Sequence, residues 1–251
     1  MESKTNLGRD SSYWSEIRRC DRVAYRTSRR RRARPRADAH RRRARARRGL
    51  VVQRPLGHLD QRRLHPLQQH LGQRVRRTDH LANSYSNWGV WADHPNTGGI
   101  KSYPNATRWV GKRVSALGTT TSSFNVTVPT SGVAFTTAYD IWSSDNAHEI
   151  MLWMNKYGPV GPLGTFQVRA SVGGHTWDIY RGSNGANNVY SFIRTGNTNS
   201  GTVDIRAVAQ WLRTNGWWGD VTVGNVQFGY EITSAAGGKD FVTNSFSVTA
   251  N

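Results

Sequence analysis

The chain has 251 residues and a formal net charge of +19, but that charge is not spread along it. Residues 1–81 hold 24 Lys+Arg against 7 Asp+Glu, whereas residues 82–251 hold 11 against 9, so two segments of different character are joined. The single cysteine, Cys20, excludes an intramolecular disulfide and argues against a thiolate metal site, and no apolar run is long enough to span a bilayer.

The first segment is dominated by "RTSRRRRARPRADAHRRRARARRGL", residues 26–50. Taken as a genuine element, it would be disordered and would bind phosphate backbones without sequence preference and with steep salt dependence. It lacks the interleaved aromatics of a base-stacking platform and any zinc-ligand spacing, so nucleic acid is expected as a partner only non-specifically. His40, His58, His65, His70 and His80 are scattered and read as ordinary polar residues.

From residue 82 onward, 170 residues suffice for one domain with a substantial core. The runs "SSFNVTV", "GVAFTTAYDIW", "EIMLWMN", "FQVRASVGGHTWDIYRG", "NVYSFIR", "GDVTVGNVQFGYEI" and "DFVTNSFSVTA" are rich in β-branched and aromatic residues. Gly, Pro, Asn and Ser clusters separate them at hairpin spacing, the pattern of an antiparallel sandwich. One segment differs: in "DIRAVAQWLRTNG", Ile205, Val208, Ala209 and Leu212 recur at helical spacing, with Asp204 placed to cap the start and Gly216 to end it. The expectation is an all-β double sheet carrying one helix over 204–215.

This second segment contains two glutamates, Glu149 and Glu231, both inside strand-like runs. Alternation puts Glu149 with Met151 and Trp153 on one face of its strand, and Glu231 with Gln227 and Gly229 on one face of another. If those faces share a concavity, two carboxyls meet in an aromatic cleft. Glycoside hydrolysis needs such a pair: one carboxyl protonates the leaving oxygen, and the other attacks the anomeric carbon or activates water. Asp140, in "AYDIWSSDNAHEIMLW", shares a face with Ala138 and Trp142, and the "SSDNAH" turn folds its strand back beside that of Glu149. The plain alternative is solvated strand glutamates and a turn-proximal aspartate.

The segments "SYSNWGVWADHPNTGGIKSYPN", "AYDIW", "EIMLWMNKYGPVGPLG", "VGGHTWDIYRGSNGANNVYSF" and "VQFGYEI" resemble glycoside hydrolase family 12, the endo-β-1,4-glucanases and xyloglucan-specific endoglucanases. The resemblance runs in order from about residue 82 to the C-terminus. It implies a jelly roll of two curved antiparallel sheets with one helix packed outside. It further implies Glu149 as nucleophile and Glu231 as general acid/base of a retaining double displacement, with carboxyls about 5–5.5 Å apart. Asp140 would support the nucleophile, and Met151 and Trp153 would line the floor beside it. Trp91 and Trp153 are candidate sugar-stacking platforms, since a pyranose has an apolar face that a ring can cover, and Trp88 is a further candidate. Pro162, in "GPVGPLG", matches a loop bordering the cleft. The expected partner is a β-glucan polysaccharide, with no metal or organic cofactor, no membrane association and a monomeric state.

The family's early asparagine–tryptophan motif has no counterpart in residues 1–81. A frame-shift supplies one. Arginine codons CGN followed by a C- or G-initial codon read, one base on, as codons for Ala, Val, Gly, Asp or Glu, which turns residues 29–48 into the composition of a secretion signal's apolar core. The same shift lets residues 64–73 spell "Y-T-x-Y-N-N-T-W-G", and one added G within "DHLAN", residues 79–83, restores the frame at Ser84. On this reading the frame-restored protein is secreted, while the chain as written carries no signal peptide and lacks the first strands of the roll. Rival readings are a non-catalytic carbohydrate-binding jelly roll, an inactive truncated glucanase with a basic arm, and a related jelly-roll xylanase. The sequons Asn105-Ala106-Thr107 and Asn125-Val126-Thr127 matter where a host glycosylates secreted proteins.

Overall fold

A computed structural model describes residues 78–251. The arginine-rich stretch 26–50, the shifted motif at 64–73 and the question of absent first strands lie outside the described residues, while the junction at 79–83 lies in the first described strand. The first described strand, β1 (Thr78–Ser84), crosses the residue-82 boundary and pairs with β2 (Asn87–Ala92). There follow β3 (Asn105–Arg113), β4 (Thr120–Thr127), β5 (Ala134–Ser143), β6 (His148–Tyr157), β7 (Thr165–Val172), β8 (His175–Ser183) and β9 (Asn188–Arg194). The chain closes with β10 (Ser200–Asp204), helix α1 (Ile205–Thr214), β11 (Thr222–Ser234) and β12 (Lys239–Ala250).

Two sheets face each other as a jelly roll. The smaller has the order β1-β2-β12-β4-β10, and the larger β3-β11-β5-β6-β9-β8-β7. The pairing is antiparallel with one departure: β6 and β9 run parallel, with Glu149 opposite Val189 and Met151 opposite Ser191. The sandwich core follows from alternation. Phe124 of β4, Tyr139 of β5, Phe228 of β11 and Phe246 of β12 turn inward, with Phe228 centred 4.8 Å from Tyr139 and 5.1 Å from Phe246. Such rings bury large apolar areas, which is what holds two sheets face to face.

Helix α1 forms where its sequence signals place it. The Asp204 carboxylate accepts the Ala207 amide at 2.9 Å, and Gly216 takes φ +68° just beyond the end. Ile205, Val208, Ala209 and Leu212 are buried against the body. β3 and β10 escape a reading by alternation because they are polar or short: "NATRWVGKR" is an edge strand and "SGTVD" has one buried apolar residue. Asn105 is buried, with its amide donating to the Tyr103 carbonyl and its oxygen accepting from Thr107, so that sequon is closed to a glycan, whereas Asn125 is exposed. No helix among the described residues is long and apolar enough to cross a membrane.

Candidate active site

β11, β5 and β6 lie side by side in the large sheet. Their register sets Gln227 opposite Asp140 and Glu231 opposite Thr136 on one side of β5, and Met151 opposite Asp140 and Glu149 opposite Trp142 on the other. Ile150, Leu152 and Met154 of β6 and Phe228, Tyr230 and Ile232 of β11 belong to the sandwich core. The alternate residues therefore point to the outer face of the large sheet. Glu149, Asp140, Glu231, Met151 and Trp153 share that face, as alternation requires.

Apolar surroundings make this face unusual for charge. Glu149 is 0% exposed, Asp140 4% and Glu231 5%. Burial, and then the charge of Glu149, push the Glu231 carboxyl up to about 8, opposed by the hydroxyl of Thr136, which donates to Glu231 Oε2 over 3.4 Å. Asp140 is held well above the usual carboxylate range, first by burial and then by Glu149 and Glu231. At neutral pH Glu231 therefore holds a proton beside Glu149, and a protonated carboxyl is a proton donor. Register sets Glu149 and Glu231 on a diagonal across β5, and the coiling of a twisted sheet is what lets groups on such a diagonal feel each other.

Met151, Trp153, Ala138 and Val189 form a second buried cluster on this face, covered by Val160 and Leu163. Those two residues flank Pro162, so its loop borders the cluster. Three buried polar atoms on the face have no hydrogen-bond partner among the described residues: Asp140 Oδ1, Trp153 Nε1 and Ser191 Oγ. Such groups cost stability in a folded chain, and a ligand dense in hydroxyls is one way to satisfy them.

The two other candidate tryptophans, Trp88 and Trp91, lie on β2 of the small sheet. Trp88 is 5% exposed within the sandwich core, edge-on to Tyr230 with centroids 5.5 Å apart, so its faces are taken by protein. Trp91, three residues on, turns to the outer side of the small sheet, where its ring packs under Gly238. Period-two alternation separates the pair but does not say which side is core, and neither is placed beside the carboxylates.

Two residues that pattern reading did not single out do belong here. The half-buried Tyr103 has its hydroxyl ionisation pushed well above the usual value by burial and then by Asp140, Glu231 and Glu149, and the hydroxyl makes a long 3.5 Å contact to the Ala138 carbonyl. Asn187 donates its amide to Glu149 Oε2 at 2.9 Å. Both lie in segments read as loop, where no periodicity marks a face. Among the described residues, no three His, Cys, Asp or Glu side chains gather as metal ligands.

Residues 67–251 match the family described as Glycosyl hydrolase family 12. A probable xyloglucan-specific endo-beta-1,4-glucanase A from Aspergillus terreus is 34% identical over 134 residues, covering 50% of this chain and 54% of that protein. The xyloglucan-specific endo-beta-1,4-glucanase A of Emericella nidulans is 31% identical over 53% of this chain and 59% of its own length. The chain thus spans little more than half the length of these relatives. Among solved structures, the xyloglucanase domain of NopAA, a type three effector from Sinorhizobium fredii in complex with cellobiose, superposes with TM-score 0.69 at 42% identity, covering 73% of this chain and 90% of that one. The family 12 xyloglucanase from Bacillus licheniformis gives 0.61 at 28%, covering 70% and 88%.

Proposed function

We propose, for a chain that belongs to glycosyl hydrolase family 12, that it hydrolyses internal β-1,4-glucosidic bonds of a polysaccharide with retention of anomeric configuration. Glu149 is the nucleophile. Its carboxylate forms a bond to the anomeric carbon as the C1–O bond breaks, the electron pair goes to the leaving oxygen, and that oxygen takes the proton of Glu231. Esterification removes the charge of Glu149, and with it one of the two causes that hold Glu231 up. Glu231 then accepts a proton from water, whose oxygen attacks the anomeric carbon and releases Glu149.

The observation that carries this reading is the electrostatic state of Glu231. A general acid must hold its proton at the working pH, and burial with a neighbouring carboxylate raises Glu231 to about 8. Asp140, whose hold on a proton is strengthened first by burial and then by Glu149 and Glu231, is suited to support Glu149 with a hydrogen bond. Met151 and Trp153, buried beneath Val160 and Leu163 on the face that carries Glu149, would line the layer below the sugar ring.

Xyloglucan is the first substrate to test, because the relatives and solved structures named above carry that activity in their names. The polymer lies outside cells, so the enzyme acts there, as a monomer. The experiment is hydrolysis of tamarind xyloglucan, mixed-linkage β-glucan, carboxymethylcellulose and xylan by wild type, Glu149→Gln and Glu231→Gln, with the first-formed anomer followed by NMR. Turnover of a β-glucan yielding the β-anomer first, and its loss in Glu149→Gln, is expected. Binding without turnover would make the chain a carbohydrate-binding jelly roll, and cleavage of xylan alone would make it a xylanase.

A further inference from the structure

Glu149 faces a problem that its own strand does not solve. It is fully buried, and three acids interact with it: Asp140 from β5, Glu231 from β11 and the Tyr103 hydroxyl from the loop before β3. Basic side chains of the same sheet have partners of their own. Arg181 of β8 lies over the Tyr190 and Trp217 rings, and His148, one residue before Glu149, contacts the Tyr190 hydroxyl. An ionised nucleophile in such a place needs a fixed donor.

We propose that Asn187 is that donor, a positioning residue for Glu149, and that Asn184 fixes its direction. This rests on the reading of Glu149 as nucleophile. The polarity of the chain of bonds is set by the main chain. The backbone N–H groups of Ala186 and Asn187 both donate to Asn184 Oδ1 at 2.9 Å, so the other end of that amide must be Nδ2. Asn184 Nδ2 donates to Asn187 Oδ1 at 2.7 Å, which turns Asn187 Nδ2 toward Glu149 Oε2 at 2.9 Å. Flipping either amide would set donor against donor or acceptor against acceptor, so the orientation does not depend on Glu149 itself.

The loop holding this pair is pinned. Ser183 Oγ donates to the Asn187 carbonyl at 3.0 Å, the Gly185 amide donates to Ser183 Oγ at 3.1 Å, and Gly185 supplies the φ of +83° that the turn requires. The Asn188 amide donates to the Ala147 carbonyl at 2.9 Å, joining the loop to the start of β6. The parallel β6–β9 pair then sets Val189 opposite Glu149, so the residue two before Val189 reaches the carboxylate. The bond from Asn187 to Oε2 thus fixes the plane of the carboxylate that meets the anomeric carbon. A donor that cannot turn into an acceptor favours the ionised form and fixes the rotamer before substrate arrives.

The test follows covalent capture of the nucleophile in the full chain. Wild type, Asn187→Ala, Asn187→Asp and Asn184→Ala are treated with 2,4-dinitrophenyl 2-deoxy-2-fluoro-β-cellotrioside, the labelled peptide is identified by mass spectrometry, and the inactivation rate constant is measured against pH. Wild type is expected to label at Glu149. Asn187→Ala is expected to label the same residue roughly 10- to 100-fold more slowly, with inhibitor affinity within about threefold and the acid limb displaced to higher pH. Asn187→Asp keeps the bond from Asn184 but places a like charge at Glu149, so it should be slower still. Asn184→Ala, which frees the Asn187 amide to flip, should move the rate in the same direction and serves where Asn187→Ala does not fold. Wild-type rate and pH limb in the folded variants would overturn the role of Asn187 while leaving Glu149 as nucleophile. Wild-type labelling at another carboxylate would overturn the nucleophile assignment, and this proposal with it.

Discussion

Thr136 stands opposite Glu231 in the β5–β11 register, and its hydroxyl donates to Glu231 Oε2 over 3.4 Å. That bond opposes the burial and the Glu149 charge that raise the carboxyl to about 8. Thr136→Val keeps the shape and removes the donor. The alkaline limb of kcat/KM, which reports the free enzyme's general acid, should therefore move to higher pH by a fraction of a unit. A limb that stays in place, or moves down, would show that Thr136 does not set the acidity of Glu231.

The two glutamates should fail differently. Glu149→Gln removes the attacking oxygen and should reduce turnover of every substrate by about 10³-fold or more. Glu231→Gln removes the proton donor, at a cost of about 10²- to 10⁴-fold on a polysaccharide. On an aryl cellotrioside with dinitrophenolate as leaving group, which departs without a proton, its first chemical step should be nearly normal. A burst of dinitrophenol followed by slow release from Glu231→Gln, and none from Glu149→Gln, is the expected pair of traces.

Stability should fall as pH rises. Asp140 and Glu231 have folded-state affinities for protons above their unfolded ones, so between about 4.5 and 8 the folded chain binds more protons than the unfolded chain. By linkage, unfolding then becomes easier with each step up in pH across that window. Thermal unfolding midpoints from pH 5 to 8 should decline, and Glu231→Gln should flatten the slope. Below about pH 4 the trend reverses, because Asp145, Asp178 and Asp220 have lowered values and lose their hydrogen bonds on protonation.

Gly229 lies two residues from Glu231 on the same face, where β3 and β11 approach closely. A Cβ there would sit 2.0 Å from the Pro104 carbonyl oxygen and 2.8 Å from Asn105 Cα, both backbone. Gly229→Ala must force the strands apart beside Tyr103, and should cost about 2 kcal/mol or more in a denaturant titration. It should also impair turnover through displacement of the neighbouring Glu231. An unchanged midpoint would mean that the strand edge yields more readily than its backbone contacts indicate.

How much of this was legible beforehand depends on the kind of signal each residue carries. Alternation in "EIMLWMN" and "VQFGYEI" separates Glu149, Met151 and Trp153 from Ile150, Leu152 and Met154, and Glu231 from Tyr230 and Ile232; the two core clusters divide along those lines. The helix was legible because a cap, a period and a stop agree at Asp204, Val208 and Gly216. Trp88 packs in the sandwich core and Trp91 on the outer side of the small sheet, environments that a period of two does not assign. "SNGANN" reads as a turn, and that it is; nothing in a turn's composition says that its fifth residue touches a carboxylate 38 positions earlier.

Local facts were readable in the chain alone: most of the strands, which residues share a face, where the helix begins, and which motifs resemble a known family. These rest on backbone geometry over a few residues, which the chain carries wherever it goes. Only the tertiary structure decided which face of each sheet is core, that β6 pairs with β9 in parallel, and that Asn187, Tyr103 and three carboxyls converge. Their proton affinities are likewise products of the assembly, because desolvation and charge–charge repulsion are properties of neighbours and not of any one side chain.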